Sequence, residues 1–436
     1  MTKEFHPAYC LPHRCYFIHG IRMDNKFNTI SMISNGGVSS ASGFEAAGVV
    51  CGLKKSGNPD LALVFSTLDC NAAGTFTSNL FPAAPVILSK QRIENHDKIR
   101  AVVINSGVAN ACTGESGYQN ALEMCSLTAK ELSLRKEQVL ICSTGRIGTQ
   151  LPMDKISKGI AMAVAAKSHD NGGDAARAIM TTDTKCKEVA VQFQINGRTV
   201  TVGGMTKGAG MISPHMYPAV PHATMLCVIT TDADIAETDL TQFLTSAVDS
   251  SFNRISVDND MSTNDTCILL ANGMSGVKIS YGDAFSDLFA QALLTVTTNL
   301  AKRMVMDGEG SSKFVEVNVT GARSQCEAHV CAKAIADSML CKTAWFGCDP
   351  NWGRILAAAG YSGAVFNPEN VSLDYNDMPV VRHGMDAGTP EAVLADLMRK
   401  GEFTVHIDLG EGIYADTMWT SDITYDYVKI NADYHT

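Results

Sequence analysis

A chain of 436 residues corresponds to two or three domains at roughly 100–200 residues each. Hydrophobic residues at 45% and charged residues at 18% exclude a disordered chain or a coiled coil. The formal net charge of −10 comes without an acidic tail or a Lys/Arg cluster, which argues against nucleic acid or an anionic membrane as the main partner and leaves a small molecule. No apolar run reaches the ~18–20 residues that span a bilayer. The 14 cysteines contain no CxxC pair and read as reduced, mostly buried thiols of an intracellular protein. Residues 1–35 form an N-terminal extension, low in acids and carrying Arg14, Arg22 and Lys26. That composition suits a mitochondrial leader but lacks its helical apolar face, so the expected compartment is the cytoplasm, or the mitochondrial matrix in a eukaryotic cell.

In chain order, residues 61–66, 84–89, 101–106 and 138–144 are apolar runs bounded by Gly, Asn or Pro, the pattern of strands. Residues 118–132 and 153–166 have apolar side chains at helical spacing. The alternation over 188–203 turns at Asn196-Gly197, a hairpin signal. Residues 224–231 read as a buried strand, 239–252 as a helix, 265–271 as a strand and 286–305 as the longest helix. A strand over 313–320 precedes helices at 325–341, 351–359 and 390–400, and 404–409 with 413–419 suggests a hairpin across Gly410-Glu411-Gly412. The class is α/β with substantial antiparallel pairing.

The segment 202–234 is unusual: a glycine-dense loop around Lys207, then a Pro-rich stretch, then an apolar strand headed by Thr224. A phosphate loop would need Ser or Thr after the Lys and a following helix, and both are missing. The alternative is a hydroxyl nucleophile. A Thr needs a base, and one solution exposes it as a chain N-terminus so that its own α-amine, with a pKa near ~8, takes the proton. That requires a cut between Ala223 and Thr224.

KGAGMI (207–212) and ATML (223–226) accompany INSGVANACTG (104–114), STGRIG (143–148), MTTDT (180–184), SFNRISVDNDMSTNDT (251–266), DGEG (307–310), CDPNWGRI (348–355) and the terminal NADYHT. In this order, from about Gly36 onward, they resemble the glutamate/ornithine N-acetyltransferase family of arginine biosynthesis. The resemblance implies a layered αββα sandwich shared with N-terminal-nucleophile aminopeptidases. It also implies a self-cleaving precursor whose α chain (36–223) and β chain (224–436) remain one intertwined unit, assembled as an α2β2 heterotetramer. Thr224 becomes the nucleophile and its α-amine the base, while Thr144 and Gly145 match the oxyanion pair. Thr181 or Thr182, Lys207, Thr224, Glu309, Asn431 and Thr436 match the substrate contacts. The implied reaction moves acetyl from N2-acetyl-L-ornithine to L-glutamate through an acetyl-Thr intermediate. It needs no metal or other cofactor, and some members also take acetyl-CoA as donor.

Lys207 could neutralise a substrate carboxylate and Glu309 a substrate amine. Asp258, Asp260, Asn264 and Asp265 lack the order of a calcium loop and read as hydrogen-bonding supports of the site. The 11 histidines show no zinc spacing. One departure from the resemblance is a longer stretch between Lys207 and Thr224, with 217–222 as the insertion and His222 where Met is usual. Ala223 is retained, so cleavage is expected. Two other readings fit the same residues: an aminopeptidase or amidase using Thr224 with water as acceptor, or an uncleaved, non-catalytic homologue.

Overall fold

A computed structural model describes residues 29–213, 216 and 225–433. The first part runs β1 (Ser31–Met32), β2 (Phe44–Val49), the long β3 (Leu61–Phe76), α1 (Ala84–Glu94), β4 (Ile99–Val108), α2 (Gly114–Leu132), β5 (Val139–Arg146), α3 (Met153–Ala166) and α4 (Gly172–Ala178). The hairpin β6 (Lys187–Ile195) and β7 (Arg198–Lys207) turns at Asn196-Gly197, whose φ values of 51° and 78° are those a type I′ turn demands. Next come β8 (Leu226–Thr231), α5 (Glu237–Asp249), β9 (Ile255–Ser256), β10 (Thr266–Ala271) and α6 (Ser286–Met306). The last part holds β11 (Phe314–Ala322), α7 (Gln325–Asp337), α8 (Met339–Phe346), α9 (Trp352–Tyr361), β12 (Ser372–Tyr375), β13 (Met378–Arg382), β14 (Met385–Asp386), α10 (Glu391–Met398), β15 (Glu402–Asp408), β16 (Tyr414–Ser421) and α11 (Tyr425–Asp433).

Strand alternation sets the layers. On β4, Val102 and Ile104 share a core with Leu226 and Val228 of β8 and with Ile268 and Leu270 of β10. Their neighbours Ala101 and Val103 instead meet Met124 of α2 and Ile156 of α3. On β8 and β10, Cys227, Ile229 and Leu269 pack on Phe243 of α5 and Phe289 of α6. The result is helix, sheet, sheet, helix, the expected αββα sandwich. Among the described residues the path is β1-β6-β7-β8-β10-β3-β4-β5, with β2 also on β3. β3 belongs to both sheets: its first half pairs with β2 and β4, its second half with β10. A separate seven-stranded sheet, β14-β13-β12-β15-β11-β16-β9, carries α7 to α10 on a core that includes Val317, Ile335, Trp345, Leu394 and Val405.

Several local expectations change. Residues 84–89 open α1 rather than forming a strand: Pro85 occupies the first turn, where its missing N–H costs nothing, and a short apolar run does not by itself distinguish a strand from a buried helix. β15 and β16 are not a hairpin, because β11 lies between them, parallel to β15 and antiparallel to β16. The single helix expected over 325–341 breaks at Ser338, whose side chain caps α8 by accepting the N–H of Cys341. Among the described cysteines, Cys326 is disulfide-bonded, against the expectation of thiols throughout, and the others are free. It sits partly exposed in the first turn of α7, unlike the buried Cys142, Cys227 and Cys267. Among the described residues no helix is long and apolar enough to cross a membrane, and no His/Cys/Asp/Glu group has metal-holding geometry.

Candidate active site

The C-terminal ends of β4 and β5 run parallel, with Ser106 opposite Thr144 and Gly107 opposite Gly145. Thr144 is buried. Lys207 ends β7, also buried, and its Nζ donates to Thr144 Oγ1 at 3.3 Å. Across β7 and β8, Lys207 is in register with Leu226, and the preceding Met225 carbonyl accepts the Thr266 N–H at 2.8 Å. Thr224, Ala223, the stretch 217–222 and Thr436 lie outside the described residues.

A buried ion cluster ties this strand end to two loops. Lys187 Nζ stands 2.7 Å from Asp183 Oδ1 and 2.5 Å from Asp307 Oδ2. Asp183 also accepts the N–H groups of Thr181 at 3.0 Å and Gly208 at 2.7 Å. Asp307 accepts those of Thr184 at 3.0 Å and Lys185 at 3.1 Å, and the Thr184 hydroxyl. Burial would push the Asp183 carboxyl up, yet Lys187 and then Lys207 hold it well below the usual carboxylate range. The cluster thus positions the segments bearing Thr181, Thr182, Lys207 and Glu309.

Glu309 follows α6, and its N–H donates to the Ala209 carbonyl at 2.9 Å. Its Oε2 accepts from Asn431 Nδ2 of α11 at 2.8 Å. Asp258 accepts the N–H groups of Met211 at 2.7 Å and Ile212 at 2.8 Å, and the Tyr427 hydroxyl at 3.2 Å. Burial pushes its carboxyl up to about 6, against those N–H donors. Asn264 donates to the carbonyls of Ala109 at 2.6 Å and Ser143 at 2.8 Å. Asp265 is fully buried, with neither carboxyl oxygen hydrogen-bonded. Burial raises its carboxyl well above the usual range, and Lys207 opposes the rise.

These segments enclose a cleft of about 270 Å³ lined by Thr144, Gly145, Thr181, Thr182, Lys207 and Glu309, with Asn431, Asp258, Asn264 and Tyr427. All seven sequence-predicted site residues that are described therefore meet in one cavity, although they come from segments far apart in the chain. An ammonium, a carboxylate and several hydroxyls in one small space form a set that can hold a zwitterionic amino acid. A larger hollow, about 680 Å³, lies by Glu316, His406 and Asp416 on the C-terminal sheet and contains none of the predicted residues. Sequence reasoning missed the Asp183–Lys187–Asp307 cluster and Tyr427. Asp183 and Asp307 do sit inside the MTTDT and DGEG motifs, which was the available signal.

The sequence model of the ArgJ family matches residues 45–436. The arginine biosynthesis bifunctional protein ArgJ of Symbiobacterium thermophilum is 48% identical over 404 residues, covering 92% of this chain and 99% of that one. The glutamate N-acetyltransferase of Methanocaldococcus jannaschii is 46% identical over 416 residues, covering 93% of this chain and 100% of its own length. The crystal structure of an ornithine acetyltransferase from Mycobacterium tuberculosis, complexed with ornithine, aligns at 41% identity and a TM-score of 0.40, covering 43% of this chain and 100% of that one. By the family match and the extent of these identities, the chain belongs to the ArgJ family.

Proposed function

We propose that this chain is a self-processing N-acetyltransferase that moves acetyl from N2-acetyl-L-ornithine to L-glutamate. Water cleaves the bond between Ala223 and Thr224, leaving an α chain that ends in the Ala223 carboxylate and a β chain, 224–436, headed by the nucleophile with a free α-amine. Thr224 Oγ attacks the acetyl carbon while the α-amine of Thr224 takes the hydroxyl proton. Thr144 and Gly145 meet the negative charge that develops on the acetyl oxygen. The amide C–N bond breaks, and ornithine leaves carrying the proton. The amine of glutamate then attacks the acetyl-Thr ester, and Thr224 is regenerated with release of N-acetylglutamate. Acetyl passes from one nitrogen to another, so the exchange needs no redox partner, metal or other cofactor, and acetyl-CoA would load the same threonine by attack of Thr224 Oγ on its thioester, CoA leaving as the thiol. Lys207 pairs with a substrate carboxylate and Glu309 with an amine, with Asn431, Thr181 or Thr182 and Thr436 completing the contacts. The functional unit is an α2β2 assembly in the cytoplasm.

The observation that carries this reading is the convergence of Thr144, Gly145, Thr181, Thr182, Lys207, Glu309 and Asn431 on one cleft. It also fits that Leu226, two residues after Thr224, pairs with Lys207. N-terminal sequencing of the purified protein tests it, with a fragment beginning at Thr224 expected. The cut protein should then make N-acetylglutamate from N-acetylornithine only when glutamate is present. Release of acetate at the same rate without glutamate would make the protein a hydrolase. A permanently intact chain, or normal cutting in Thr224→Ala, would overturn the proposed nucleophile.

A further inference from the structure

We propose that Lys207 is a positioning residue for the oxyanion donor: its ammonium group fixes the Thr144 hydroxyl as a hydrogen-bond donor into the cleft. This deepens the acyl-transfer reading above and rests on it. An ammonium group has three donors and no acceptor. In its 3.3 Å contact with Lys207 Nζ, Thr144 Oγ1 can therefore only accept, and the hydroxyl hydrogen must point elsewhere. Thr144 lines the cleft, beside Gly145. A hydroxyl whose lone pair is already engaged by a fixed cation is preset to donate to a developing negative charge, without reorganising during the reaction.

A buried cation needs a countercharge, and the ion cluster supplies it. Asp183 and Asp307 carry two negative charges against the single positive charge of Lys187, leaving one in surplus, and Lys207 balances it. Asp183 reaches across both sides: it pairs with Lys187 and accepts the N–H of Gly208, the residue after Lys207. Among the described residues, the other charged groups facing Lys207 are Lys187 of β6, Asp265 just before β10, Glu309 after α6 and Lys54 of the 50–60 loop. Glu309 is engaged by Asn431, and burial favours the neutral form of Asp265. Burial lowers the pKa of Lys207, with Asp183 the strongest opposing influence. The sign follows. Below its pKa Lys207 holds Thr144 as a donor. Above it, the neutral amine accepts the Thr144 hydrogen, and the donor points to Nζ instead of to the acetyl oxygen.

Neutron diffraction from deuterated wild-type crystals locates the hydrogens directly. Three deuterons on Lys207 Nζ, with the Thr144 deuteron pointing away from it, are expected. Two deuterons on Nζ, with the Thr144 deuteron aimed at it, would overturn the proposal. Kinetics give a second reading. In the wild type kcat should fall at alkaline pH, and Lys207→Arg, which stays charged, should shift or abolish that fall. Thr144→Val should lower kcat by about 10²–10³-fold and remove the alkaline limb. Adding Lys207→Met to Thr144→Val should cost no more than about twofold further in kcat, since the two would act as one unit. Losses in kcat that multiply, or an alkaline limb that persists in Thr144→Val, would mean that Lys207 acts on the substrate alone. If the wild type transfers no acetyl at all, the functional reading fails, while the neutron map still decides the state of the hydroxyl.

Discussion

Two glycines hold the cleft open by lacking a side chain. At Gly145 the backbone adopts φ 127°, and a Cβ there would collide with the backbone of Gly107 on β4. Gly145→Ala should push β5 off β4, misplace both Thr144 and its own N–H, and lower kcat by about 10²-fold, read from acetyl-transfer kinetics with the fold checked by circular dichroism. At Gly210 an added Cβ would meet the Glu309 carboxylate. Gly210→Ala should instead displace Glu309 from Asn431 and raise KM for N-acetylornithine by about tenfold, ~1.4 kcal/mol, with a smaller change in kcat. Asp258 adds a pH dependence. Its carboxyl is raised from 3.8 to about 6, and protonation weakens its hold on Met211, Ile212 and Tyr427. Activity should therefore decline more steeply below about pH 6 than protonation of the Thr224 α-amine alone would give, and Asp258→Asn should remove that extra step at a lower plateau. The effect on stability has the opposite sign. The folded state binds this proton more tightly than the unfolded chain does, so the group's stabilisation is present at low pH and is lost as pH rises between 3.8 and about 6. Denaturant titrations at several pH values would separate the two effects.

α11 shows how an element with no core of its own can be held in a site. None of its residues is buried, and apart from an edge-on contact between the Tyr425 and Phe346 rings its attachment is polar. The Thr424 hydroxyl donates to the Gly310 carbonyl at 2.7 Å and accepts the Tyr427 N–H at 3.2 Å, Tyr427 reaches Asp258, and Asn431 reaches Glu309. Thr424→Val removes the cap, worth about 1 kcal/mol. It should fray α11, raise KM for N-acetylornithine and leave Tm nearly unchanged, because little apolar surface is lost. A large fall in Tm would show α11 to be structural rather than a substrate element. The same polarity explains why α11 was not legible as a helix, although its last turn, Asn431 onward, was legible as a motif. Elements with local signals were readable: Met153–Ala166 from its helical stripe, and the β6–β7 hairpin from Asn196-Gly197. The order of β15, β11 and β16 was not, because pairing with a strand 88 or more residues earlier leaves no mark on either strand's own sequence. The ion cluster was hidden for the same reason, Lys187 and Asp307 being 120 positions apart.

At the scale of the molecule, the strand path explains how two chains could remain one protein after cleavage. β8 and β10 belong to the segment after Thr224, yet they lie between β7 on one side and β3 on the other, both from the segment before it. Releasing either chain would break the β7–β8 and β10–β3 ladders at once and open the cores that both segments fill. The ion cluster crosses the same divide, with Asp183 and Lys187 on one side and Asp307 on the other. Lys187→Met would leave two buried carboxylates with Lys207 as their remaining countercharge and should cost about 3–5 kcal/mol, seen as a lower denaturation midpoint in cut and uncut protein alike. For the cut wild type, calorimetry should give a single transition in which both chains unfold together, and native mass spectrometry should find no free α or β chain below it. Two separate transitions, or a free chain under native conditions, would mean that the sheets do not bind the halves as tightly as the interleaved strand order requires. The proposed cut would need this arrangement: the pairing on both sides of β8 and β10 would keep the segments that line the cleft in place once the bond was broken.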